Sequence, residues 1–204
     1  MPYLLSTKHY APSTKTTDAA LVAACRQGNA AAQEQLYSRF APKMLALCLR
    51  YMRHEFDAED ALARGFVKVF RCLHQFEGKG SLEGWVRRIM VHESLSVLRR
   101  RESLTLSIED CYTGHLAADL PAADVELQAA DLLRLVQDLP AGYRAVFNLC
   151  ALEGYSHPEV AGLLGISEGT SKSQLSKARA VLQRQVIALH SSYSSSSYAH
   201  AHVA

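Results

Sequence analysis

Apolar residues recur along this chain at spacings of three and four, and no stretch alternates with period two in β-branched residues. That pattern predicts helices throughout, so the fold class is all-α: two small helical domains joined by an acidic linker. Asp18 is placed to cap a helix carrying Leu21, Val22 and Cys25 and stopped at Gly28. Asn29 caps the next, with Leu36, Phe40, Met44, Leu47 and Tyr51 on one side and Pro42 positioned to kink it. A third helix starts near Asp57 and runs through Leu62, Phe66, Val69, Phe70 and Leu73 toward Phe76, where Gly78 and Gly80 break it. Ser81 caps a fourth, to about Arg101, whose apolar side is Trp85, Val86, Ile89, Met90, Val97 and Leu98.

Periodicity is lost after Arg101 and resumes at Asp124, which divides the 204 residues into a flexible N-terminus (1–17), a first domain (18–101), an acidic linker (102–123), a second domain (124–190) and a tail (191–204). The tail, SSYSSSSYAHAHVA, is low in complexity and buries little surface, so disorder is expected there. Charge follows the same division. The net charge of +2 hides eight basic residues against three acidic ones between Lys68 and Arg101, then eight acidic against Arg134 alone between Glu102 and Leu139. Between Pro140 and His190 five basic residues face three acidic ones, so two basic blocks flank an acidic connector; charge alone fits solvated helix faces as well as phosphate-bearing partners, and other features decide.

Several functions are excluded. No apolar run approaches the roughly 18 residues needed to cross a bilayer, and the N-terminus lacks the pattern of a secretory signal, so no membrane insertion and a cytoplasmic location are expected. The five cysteines, Cys25, Cys48, Cys72, Cys111 and Cys150, are spread without a CxxC pair, which reads as reduced thiols with no metal site. No nucleophile elbow, Gly-rich phosphate loop or ligand motif is present, so neither a catalytic residue nor a cofactor is assigned and the chain is not expected to be an enzyme.

The most specific local pattern lies between Tyr155 and Val186. Ser156 and Glu159 form a capping box, Val160, Leu163 and Leu164 an inward stripe, Gly165 a left-handed turn and Ile166 a plug at the corner. Ser167 caps a longer helix whose core side is Leu175, Ala178 and Leu182. Two helices at such a turn make a helix-turn-helix, whose second helix enters the DNA major groove with its N-terminal part. Thr170, Ser171, Lys172, Ser173, Gln174, Lys177 and Arg179 are the outward candidates: Gln174 suits an adenine edge, while Lys172, Lys177 and Arg179 suit phosphates. In the first domain, Asp57, Glu59 and Asp60 form an acidic turn, and the following helix pairs cations with aromatics. Phe76, Trp85, Arg87, Arg88 and His92 are candidates for unpaired bases and their backbone, whereas Phe66 and Phe70 read as core.

The runs DAEDALARGFVKVF, GSLEGWVRRIMVHESLSVLRRR and LPAGYRAVFNLCALEGYSHPEVAGLLGISEGTSKSQLSKARAVL, in this order, resemble a bacterial RNA polymerase sigma factor of the extracytoplasmic-function (ECF) group. The resemblance implies that the first domain is sigma region two and the second region four, with core RNA polymerase, promoter DNA and an anti-sigma factor as partners. It places Asp57, Glu59, Asp60 and Arg64 on the polymerase-binding helix, Gln75 to Ser81, with Phe76 and Lys79, on the loop that receives a flipped promoter base, and Trp85, Arg87, Arg88 and His92 on the minus-ten face. The region-four residues named above fall on the minus-thirty-five reader. Three departures stand out: His92 replaces the usual asparagine, Gln174 stands where many relatives carry arginine, and Ala63, Arg64 and Gly65 replace a more acidic run. Gly65 is expected to weaken its helix by about 1 kcal/mol, and Arg64 to reverse a charge on the polymerase-facing surface. The alternative is a conventional helix-turn-helix regulator whose first domain senses a ligand or dimerises.

Overall fold

The computed structural model describes residues 17–101 and 129–200, and the linker expected at 102–123 lies outside the described residues. Helix α1 spans Asp18–Arg26 and is capped one residue earlier than expected, by Thr17, whose hydroxyl accepts from Ala20 N at 3.4 Å. Asp18 instead sits in the first turn, where its charge suits the helix dipole, and pairs with Arg39 at 2.7 Å. Helix α2 (Ala30–Tyr51) is capped by Asn29 and runs through Pro42. Helix α3 (Glu55–Cys72) starts two residues before Asp57 and passes into a 3₁₀ turn at Leu73–Gln75. Gly78 and Gly80 take positive φ values of 77° and 89° in the loop that follows, a region closed to most side chains. Helix α4 (Leu82–Arg101) begins at Ser81, whose Oγ accepts from Gly84 N at 3.0 Å.

These helices pack as a bundle with Leu36, Phe40, Met44, Leu47, Val69, Val86, Met90 and Leu95 in its interior. Each such side chain contributes roughly 1.5–3 kcal/mol by leaving water. Gly65 lies on the buried seam between α3 and α4, where a Cβ would stand 2.2 Å from the sulfur of Met90. The helical cost of this glycine therefore accompanies close packing.

The second half comprises α5 (Ala129–Asp138), α6 (Ala141–Phe147), a π-helical turn (Asn148–Leu152), α7 (His157–Leu164) and α8 (Glu168–His200). Pro140 precedes α6 as expected, and Gly165 takes φ +69° between α7 and α8. Helix α8 continues to His200, past His190 where disorder was expected. No proline or glycine interrupts SSYSSSSYAH, and each residue added to a long helix closes a hydrogen bond without a new nucleation cost.

The two halves are docked. Ala145, Val146, Leu149, Val160 and Leu175 join the same apolar cluster as the first bundle, and a smaller cluster of Leu139, Tyr143 and Ala178 lies beneath α8. At the seam, the last carbonyls of α2 have no partners within their own helix. Gln137 donates to Leu49 O (2.9 Å), Asn148 to Arg50 O (2.9 Å) and Arg144 to Tyr51 O (2.8 Å). Arg144 is fully buried and also donates to Gln137 O and Leu139 O, so a cation closes the negative end of α2 while tying the α5–α6 corner together.

Candidate nucleic-acid interface

Helix α7 opens with the expected capping box: Ser156 N donates to Glu159 Oε2 at 2.8 Å, and these bonds hold the Glu159 carboxyl below its ordinary pKa. At the start of α8, Thr170 N donates to Ser167 Oγ at 3.0 Å. Lys172, Ser173, Lys177 and Arg179 are exposed along one side of α8, and Thr170 is half-buried at its edge. Ser171 and Gln174, expected to face outward, are buried instead. They share a stripe with Leu175 and Ala178, and Ser171 Oγ lies 2.9 Å from His157 Nδ1, bridging α7 to α8. In this conformation Gln174 presents no edge to a base, and its Oε1 is buried without a hydrogen-bond partner.

In the first domain, Phe76 is buried and packs against the half-buried Trp85, with ring centroids 5.7 Å apart, so its ring is a wall of the loop and not an open platform. Phe66 is core as expected, tilted against Tyr37 at 4.6 Å, and Phe70 packs beside it. Lys79 pairs with Glu77 at 2.6 Å on the exposed loop. Arg87, Arg88 and His92 all lie on α4, but only Arg88 and His92 are exposed. Partial desolvation, with Lys68, Arg88 and Arg99 nearby, lowers the pKa of His92. Arg87 is half-buried and bonded to Glu153 of the second half, which raises its pKa further.

On α3, Glu59 is exposed, Asp60 receives Arg64 Nε at 2.8 Å, and Asp57 pairs with Arg101 at 3.1 Å. Arg64 is thus held by an acidic residue of its own helix, one turn away. Gly65 faces the core, not the acidic surface.

Sequence spacing gave no sign of Arg26, Arg50, Arg144 or Glu153, because each acts on residues far along the chain. Arg26 donates to Leu73 O (3.1 Å) and Phe76 O (2.5 Å), anchoring the start of the 76–81 loop on α1. The Glu153 side chain, only 2% exposed, receives Arg50 at 2.7 Å and Arg87 on both oxygens.

Among the described residues, no helix is long and apolar enough to cross a membrane, and no group of three or more His, Cys, Asp or Glu is placed to hold a metal ion.

Comparison with known proteins covers both halves. The Sigma-70 region 2 family model matches residues 36–103, and that of Sigma-70, region 4 matches residues 129–182. The ECF RNA polymerase sigma factor SigM of Mycobacterium tuberculosis is 33% identical over 172 residues, 82% of this chain and 84% of SigM. SigE of Mycolicibacterium smegmatis, also an ECF RNA polymerase sigma factor, is 31% identical over 163 residues, 78% of this chain, and the chain spans 63% of that relative's length. The sigma factor RpoE of Bartonella quintana, solved in complex with the anti-sigma factor NepR, aligns at a TM-score of 0.49 and 25% identity over 75% of this chain and 95% of that one. The region-two match accounts for the first half, so the alternative of a sensing or dimerising bundle is not favoured. Both regions in this order, together with identity across most of SigM, make this chain a member of the ECF group of RNA polymerase sigma factors, which direct transcription initiation.

Proposed function

We propose that this chain binds core RNA polymerase through the acidic face of α3 (Asp57, Glu59, Asp60, with Arg64 beside them). In this reading the 76–81 loop and α4 act on the minus-ten element through Phe76, Lys79, Trp85, Arg87, Arg88 and His92, and α8 binds the minus-thirty-five element. The domain limits adopted are 18–101 for region two and 124–190 for region four. The observation that carries the DNA assignment is the run of exposed Lys172, Ser173, Lys177 and Arg179 on the first turns of α8, directly after the turn at Gly165. Cations there meet phosphates, and the short hydroxyls of Thr170 and Ser173 let the helix approach closely. Base reading by Gln174 and a contact from Ser171 require α8 to repack on DNA. The polymerase makes the phosphodiester bond, and the chain contributes no catalytic group of its own. An anti-sigma protein completes the set of partners, and the site of action is the cytoplasm.

Alanine at Lys172 and Lys177 tests the assignment in a binding titration with promoter duplex. Affinity is expected to fall uniformly across sequences, and the slope of log K against log salt to flatten by about 0.9 for each phosphate that is no longer neutralised. An unchanged slope in the folded double variant would remove these lysines from the interface.

A further inference from the structure

The seam between the two halves carries one arrangement that the proposed function leaves unexplained. Arg50, on the last turn of α2, and Arg87, on α4, converge on the same oxygen of Glu153, at 2.7 and 2.9 Å. Arg87 also reaches the second oxygen, so the carboxylate is gripped by both guanidinium groups. Beside it a cleft of about 260 Å³ runs between α4 and the start of α7, lined by Arg87, Arg88, Glu153, Tyr155 and Glu159 among others. The second half therefore engages Arg87 on the side of α4 that the functional reading turns toward DNA, while Arg88 and His92 stay exposed. Farther along α4, Arg99 also meets the second half, donating to Leu163 O at 3.3 Å.

Two guanidinium groups focused on one point repel each other unless an anion lies between them, and planar forks of this kind accept a carboxylate or a phosphate in the same way. Glu153 supplies the anion only while the halves are docked. When the second half moves away, Arg50 and Arg87 are left as a preformed anion site next to Arg88. We infer that Glu153 is a built-in stand-in for a nucleic-acid phosphate: in the docked chain it occupies the Arg50–Arg87 site, and a backbone phosphate of the promoter strand takes its place when region four separates. The inference rests on the assignment of α4 to the minus-ten strand and adds Arg50, from another helix, as a strand-binding residue. It also makes docking a brake on free protein, because a site open for a fraction of the time binds with its affinity reduced by that fraction.

The test is fluorescence anisotropy of the free, full-length chain with a short fluorescein-labelled single-stranded DNA of random sequence at low salt, which reports phosphate contacts without requiring a known promoter. Glu153→Gln is expected to bind at least about fivefold more tightly than the parent, the gain for a chain closed about four-fifths of the time. Adding Arg50→Gln to Glu153→Gln is expected to abolish most of that gain. Were release of the seam the whole effect, the double variant would keep the gain, since Arg50→Gln loosens the seam as well; retention of the gain thus overturns the anion site. Equal binding by the parent and Glu153→Gln overturns the competition while leaving α4 as a strand-binding helix. No binding by any of the proteins overturns both. Circular dichroism establishes that the variants are folded, and Glu153→Asp, which keeps the charge but draws it back by one methylene, gives the same direction of change if Glu153→Gln loses helicity.

Discussion

Helical propensity and packing ask for opposite residues at position 65. Alanine would strengthen α3 by about 1 kcal/mol, but its Cβ would stand 2.2 Å from the sulfur of a fully buried Met90. Overfilling a packed interior costs about 1–3 kcal/mol, moderated here by the flexible methionine. Gly65→Ala is therefore expected to lower stability by about 1 kcal/mol net, read as a lower urea midpoint at constant slope; a raised midpoint would mean that Met90 finds another rotamer at no cost. Arg64 likewise departs from the sequence expectation, since its charge is shared with Asp60 rather than presented alone. His92 supplies a pH signature. Its folded-state pKa lies below the ordinary value of 6.5, so the unfolded chain takes up a proton first as pH falls. The stability contributed by the neutral ring is complete above that value and declines as pH drops below it, until the folded ring also titrates. His92→Asn is expected to flatten the stability profile in that window by less than about 1 kcal/mol, the ring being exposed. The Glu159 carboxyl, whose folded pKa is lowered, acts in a separate window: its contribution is present above 4.5 and is lost as pH falls through the depressed value. An unchanged profile just below pH 6.5 in the asparagine variant would contradict the assignment.

At the scale of elements, what could be read from the sequence was what depends on near neighbours. The capping box of Ser156 and Glu159, the turn at Gly165 and the α2 cap at Asn29 are all settled within four residues of chain, and they stand where the pattern put them. The errors at α1 and α3 are shifts of one or two residues, where Thr17 and Asp18 both offer a capping oxygen and where acidic residues begin at Glu55. The turned face of α8 was less legible. A stripe wide enough to bury Ser171 and Gln174 depends on His157 and on the helices beneath α8, which periodicity in α8 alone does not report. The end of α2 was illegible for the same reason: its carbonyls are capped by Gln137, Arg144 and Asn148, about ninety or more residues away. Arg144→Ala would leave buried carbonyls without donors, at roughly 1–3 kcal/mol for each one that water cannot reach. A fall of at least about 2 kcal/mol in unfolding free energy is expected, with Arg144→Lys recovering only part because an ammonium cannot span all three carbonyls. A stability change below about 0.5 kcal/mol would show that water replaces the guanidinium.

For the whole molecule, the two basic blocks that the charge pattern separated are brought together, and a carboxylate between two arginines joins them. Charge counting showed that each block suits phosphates, but it could not show that α4 faces the second half across a shared apolar cluster. If α4 and α8 contact two promoter elements as proposed, the docked halves have to separate, and any ligand that drives that opening does so by binding the open form more tightly than the docked one. Family membership and the exposed cations of α8 meet in a single claim: this chain makes core polymerase start transcription at particular promoters. Run-off transcription with purified core polymerase and a library of genomic promoter fragments tests it most directly. Discrete transcripts are expected from a subset of fragments only when the chain is added, weakened by the Lys172 and Lys177 alanine variant; promoter binding with no transcript at any fragment, in a mixture where another sigma factor initiates normally, would contradict the claim.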